Sequence, residues 1–69
     1  MDEIARCMME ELDKGSRSAD FLATTCGGGA IRMTAPRLTW LEGLGLAENV
    51  GGGQFAITPL GKKFVQLLV

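Results

Sequence analysis

Cys7 and Cys26 are the only thiols of the chain, and histidine and tyrosine are absent. The missing histidine removes the commonest general base near neutral pH and the commonest metal ligand. Two thiolates alone leave a tetrahedral zinc site half built, so a metal would need carboxylates or a second chain. The spacing of the pair fits neither a Cys-x-x-Cys motif nor a multi-bridge secreted scaffold. Both cysteines read as small buried apolar residues. Glu10, Glu11 and Asp13 read as a solvated helix face, because no group of opposite role stands beside them. The triplet Gly27-Gly28-Gly29 raises a phosphate-loop reading, which requires Gly, four residues, then Gly-Lys-Ser/Thr after a strand. The one Gly-Lys pair, Gly61-Lys62, is followed by Lys63, and Ala56 stands where the first glycine belongs. The triplet is a connector. No enzymatic chemistry, metal or cofactor is implied.

The remaining polar chemistry is recognition. Seven basic against eight acidic residues leave a net charge of -1, so there is no global basic field and nucleic-acid binding must come from local arrangement. One local set qualifies: Arg32, Thr34, Arg37 and Thr39, with Arg17 upstream and Gln54 downstream. Arginine can reach guanine O6/N7 or a phosphate, and threonine a base or the backbone. Thr34 is also suited to be nothing more than a helix cap. Arg37 lies four residues before Leu41, near the core side of a helix, and stays open between a groove contact and a snorkelling stem. Lys62 and Lys63 read as a solvated face.

These residues must be held by a small number of elements. A chain of 69 residues, 46% hydrophobic and 22% charged, is too apolar for a disordered tail and supports one small core. There is no apolar run of about 18 residues to span a membrane. The acidic start, Met1-Asp2-Glu3, is unlike a signal peptide, and the expected location is cytoplasmic. Apolar periodicity predicts helices over 3–14 and 18–26, the second ended by the glycine triplet. A third helix is expected over 34–44, with Thr34 as cap, Pro36 in the first turn and Trp40 beside the apolar face. After Gly45 the period changes. Residues 46–50 and 54–58 read as strands joined by Gly51-Gly52-Gly53, a hairpin over 46–58. Thr58-Pro59 restarts helix over 59–69, with Leu60, Phe64, Leu67 and Leu68 as its core stripe. The fold class is mainly α with a small β-hairpin (α+β), one domain over 1–69.

The stretch Leu38-Thr39-Trp40-Leu41-Glu42-Gly43-Leu44-Gly45-Leu46, with a leucine four residues before a Gly-Leu pair, and Gly53-Gln54-Phe55-Ala56-Ile57-Thr58-Pro59-Leu60-Gly61, where a glycine and an aromatic lead to Thr-x-x-Gly, carry a resemblance. Together they resemble the recognition-helix ending and the wing of a winged helix-turn-helix domain of small bacterial and archaeal transcriptional regulators. The resemblance implies the order helix-helix-helix-strand-strand-helix. It implies a regulator reading double-stranded DNA with the helix beginning near Thr34, through Arg17, Arg32, Thr34, Arg37, Thr39 and Gln54. Two departures stand out: a long glycine-rich link from Gly27 to Met33, and a wing tip without a cation. The rival expectation is a protein-interaction module on the same scaffold, without DNA. A homodimer is also expected, joined by the first and last helices through Met9, Val65, Leu68 and Val69, because apolar residues surround the last helix.

Overall fold

The structure, a computed structural model, describes residues 2–68. Asp2 begins the first helix: its carboxylate accepts the Ala5 N–H at 2.8 Å, capping α1 (Glu3–Lys14). Ala5, Met8, Met9 and Leu12 fall at helical spacing and form its buried stripe. Gly15 ends the helix at φ 152°, and its N–H closes on the Leu12 carbonyl at 3.1 Å. Arg17–Ser18 form a short strand, β1, that the sequence reading lacked. Two residues show no periodicity, so only the pairing partner defines such a strand.

Ser18 then caps α2 (Ala19–Gly27), accepting the Phe21 N–H at 3.0 Å. Gly28 takes the left-handed conformation that ends the helix, at φ 64°. The connection to α3 (Ile31–Gly43) is therefore short, and α3 starts three residues earlier than Thr34. The correction has a packing cause. A Cβ on Gly27 would lie 2.7 Å from Thr34 Cγ2, so α2 and α3 meet where glycine faces threonine. Thr34 is a buried interior residue of α3, and its hydroxyl donates to the Ile31 carbonyl at 3.3 Å. The cap position falls to Ala30, which makes no side-chain cap bond. Pro36 lies inside the helix rather than in its first turn, leaving the Arg32 carbonyl without the usual N–H from four residues on.

β2 (Ala47–Gly51) and β3 (Gln54–Ile57) form an antiparallel hairpin with Ala47 opposite Ile57 and Asn49 opposite Phe55. Gly52 and Gly53 both adopt positive φ, 61° and 74°, as a two-residue I′ connection requires. β1 adds to the other side of β3, placing Arg17 opposite Phe55 and giving the order β1-β3-β2. Thr58 caps α4 (Pro59–Leu68): its hydroxyl accepts the Gly61 N–H at 2.9 Å and donates to the Gly45 carbonyl at 2.5 Å.

Met8, Met9, Leu12, Leu22, Leu38, Leu41, Leu46, Ala47 and Val65 form the core, with Ile4, Phe55, Ile57 and Phe64 packed against it. Four apolar residues depart from expectation: Trp40, Leu44, Leu60 and Leu67 are exposed. The two cysteines depart as well. Cys7 of α1 and Cys26 of α2 form a disulfide, with their Cα atoms 5.7 Å apart. The reading of both as free buried thiols is overturned, because packing of α1 on α2 brings together residues that the sequence spacing does not relate.

The result is a mainly helical α+β fold of four helices and a small three-stranded antiparallel sheet, an arrangement compatible with a winged helix. Among the described residues, no helix is long and apolar enough to cross a membrane.

Candidate nucleic-acid interface

The expected recognition helix is α3, and its buried side is set by Thr34, Leu38 and Leu41. Arg32, Pro36, Thr39 and Gly43 recur at helical spacing on the opposite side, and all are exposed. Of these, Thr39 donates its hydroxyl to the Ala35 carbonyl at 3.1 Å, leaving its lone pairs outward. Arg32 makes no ion pair among the described residues. Pro36 and Gly43 give the helix a low profile between them.

Arg37 leaves the site. Its Nε donates to the Asp2 carboxylate at 2.8 Å, Nη2 lies 2.8 Å from the same oxygen, and Nη1 donates to the Met33 carbonyl. It ties α3 to the start of α1, an edge contact that occupies the guanidinium within the chain. Asp2 feels this arrangement: the Ala5 N–H and then the Arg37 guanidinium hold its carboxyl below the ordinary value of 3.8. Arg17 is also folded back. Its guanidinium lies over the Phe21 ring, 5.1 Å from the centroid, and Nη1 donates to the Ser16 carbonyl at 3.0 Å. Its Nε is buried with no partner. Gln54 is half-buried at the start of β3, paired with Ser18 and Gly51. Thr34, sealed against α2, has no access to a groove.

The other cations are spent elsewhere. Arg6 pairs with Glu10 at 3.8 Å, Lys14 with Glu11 at 3.0 Å, and Lys62 with Asp13 at 3.5 Å. Only Arg32 and Lys63 have neither an acid nor an aromatic partner among the described residues. Of the six residues expected to meet DNA, the fold presents Arg32 and Thr39 outward on one helix face.

The expected dimer residues also move. Met9 is fully buried and Val65 nearly so, both in the core; Leu68 is half-buried, and Val69 lies outside the described residues. What the sequence reading missed is an apolar groove of about 470 Å³ lined by Leu44, Leu46, Leu60, Lys63, Phe64 and Leu67. The cause is Gly61. A Cβ there would lie 2.2 Å from the Leu46 carbonyl oxygen and 2.7 Å from Ile57 Cγ1, so α4 docks through its glycine and turns Val65 inward. Leu60 and Leu67 are thereby turned out. A glycine one position after a leucine stripe was the available signal.

Comparison with family models, curated proteins and solved structures finds no match to the chain.

Proposed function

We propose that the protein is a small winged-helix DNA-binding module, a regulator of transcription that presents α3 to duplex DNA, with β2–β3 as the wing. The observation that carries the reading is Arg32, a cation in the first turn of α3 without an ion-pair partner among the described residues, on a side of the helix where Pro36, Thr39 and Gly43 are also exposed. In helix-turn-helix docking this part of the helix enters the major groove. Arg32 then meets guanine or a phosphate, and Thr39 lies two turns further along the same face.

The supply of cations is thin, which makes the expected binding weak and salt-sensitive. Each neutralised phosphate contributes about 0.9 to the salt slope, and one chain offers Arg32 plus whatever Lys63 adds. Fluorescence anisotropy with a mixed-sequence duplex at low salt tests the reading. Binding by the wild type and its loss in Arg32→Ala support it.

A second reading rests on the groove between α3 and α4: a winged-helix protein-interaction module that does not use DNA. An absence of duplex binding at low salt favours it.

A further inference from the structure

We propose that the Cys7–Cys26 disulfide is a redox latch on the turn between α2 and α3. Closed, it orders that turn and the first turn of α3; reduced, it releases them while the rest of the fold stands. The latch rests on packing alone, and its consequence for DNA rests on the function proposed above.

From Thr24 to Met33 no residue is buried, whereas Leu22 and Ala23 before the stretch and Thr34 after it are sealed in the interior. A stretch of this kind has little apolar contact to keep it in place. Gly28 and Gly29 turn it at φ 64° and 89°. Its hydrogen bonds outside regular helix are local. The Gly29 N–H donates to the Ala23 carbonyl at 2.9 Å, Ala30 to Gly27 at 3.1 Å and Met33 to Ala30 at 2.9 Å. α3 begins here without a side-chain cap, and Pro36 withholds an N–H from the Arg32 carbonyl. The covalent tie to another element is Cys26, bonded to Cys7 in the middle of α1. The next residue is Gly27, whose close approach to Thr34 sets the packing of α2 on α3. The bridge thus pins to α1 the end of α2 on which the start of α3 rests.

The other parts have their own anchors. Met8, Met9 and Leu12 hold α1 in the core, Leu22 holds α2, and Leu38 and Leu41 hold the later turns of α3. Arg37 joins those later turns to Asp2 independently of the bridge. Both cysteines are only half-buried, which gives an attacking thiolate the access that exchange requires. A dithiol is the reductant. One of its thiolates attacks a bridge sulfur, forming a mixed disulfide and expelling the other cysteine as a thiolate that takes up a proton. Its second thiol then displaces the remaining cysteine and leaves as a cyclic disulfide, so two electrons and two protons pass to the chain. That cyclic disulfide, in excess, runs the exchange backwards. The released stretch carries Arg32, and a contact residue ordered only part of the time binds more weakly by that fraction.

Backbone nitrogen-15 relaxation in excess reduced dithiothreitol, and again after treatment with oxidised dithiothreitol, tests the latch. Order parameters over 27–33 should fall on reduction from about 0.85 to below about 0.6, while those of α4 and the hairpin hold. Re-oxidation should restore them, and Cys7→Ser/Cys26→Ser should show the reduced pattern in both buffers. Unchanged order over 27–33 after reduction overturns the proposal. A chain that unfolds throughout on reduction also overturns it, since the bridge is then a staple, and so does a bridge that excess dithiothreitol leaves intact. Duplex binding, read by anisotropy, should be several-fold weaker in the reduced protein. A released stretch with duplex binding unchanged or absent supports the latch and contradicts the role given to Arg32.

Discussion

Gly61 decides which side of α4 meets the core, through a contact that no other residue can make. The Leu46 carbonyl and Ile57 leave no room for a methyl group, and the obstructing carbonyl is backbone that cannot swing away. Gly61→Ala is therefore expected to destabilise the fold by about 1–3 kcal/mol, as overpacking does, despite alanine's better helix propensity. A urea titration checks this; an unchanged midpoint would mean that α4 docks otherwise. Asp2 is the second residue whose partners set its behaviour. Its carboxyl is held below the ordinary 3.8 by the Ala5 N–H and Arg37. A depressed folded-state pKa contributes stability that is present above the ordinary value and is lost as pH falls through the folded one. Thermal melts from neutral to strongly acidic pH should show the wild type losing this contribution below pH 3.8, and Asp2→Asn lacking that part of the loss. High salt should shrink the difference, because the group is exposed. Arg37 was legible in sequence only as a residue near the core side of its helix. Its partner lies 35 positions away, beyond any local pattern.

At the scale of elements, the glycines and caps carried most of the legible information. Gly15, the triplet after Cys26, Gly45 and Thr58-Pro59 divide the chain close to where the elements divide. α3 was the exception, since Thr34 has the chemistry of a cap and Pro36 that of a first-turn residue. The approach of Gly27 to Thr34 outweighs both local preferences and extends the helix backwards. β1 was illegible for a different reason: two residues become a strand only through Phe55 and Gln54 opposite them. The α1–α2 pairing hid the Cys7–Cys26 bridge in the same way, and the bridge gives that pairing a covalent clasp across 19 positions. Closing a loop of this length constrains the unfolded chain by about 2–4 kcal/mol, a substantial share of the stability available to so small a core. Melts with and without reductant check this. Reduction, or replacement of both cysteines by serine, should lower the midpoint by a matching amount, and identical melts would contradict the contribution.

For the whole molecule, the distribution of charge matters more than its total. Net charge of -1 excludes a broad basic field, and the fold withdraws further cations by pairing Arg6, Lys14, Arg37 and Lys62 with acids and stacking Arg17 on Phe21. Sequence reading assigned the candidate face to the helix carrying Arg32 and Thr39, both of which the fold leaves exposed. It overcounted the residues free to use that face, because ion pairing and burial are properties of the folded chain. The direct test is the salt dependence of binding to a mixed-sequence duplex, measured for the wild type, Arg32→Ala and Lys62→Ala. Binding should weaken with salt in the wild type, and Arg32→Ala should reduce the slope by about one. Lys62→Ala, which removes a cation already held by Asp13, should leave the slope unchanged. Equal slopes for Arg32→Ala and the wild type, or no binding by the wild type at low salt, would contradict the assignment of α3 as the DNA-contacting element.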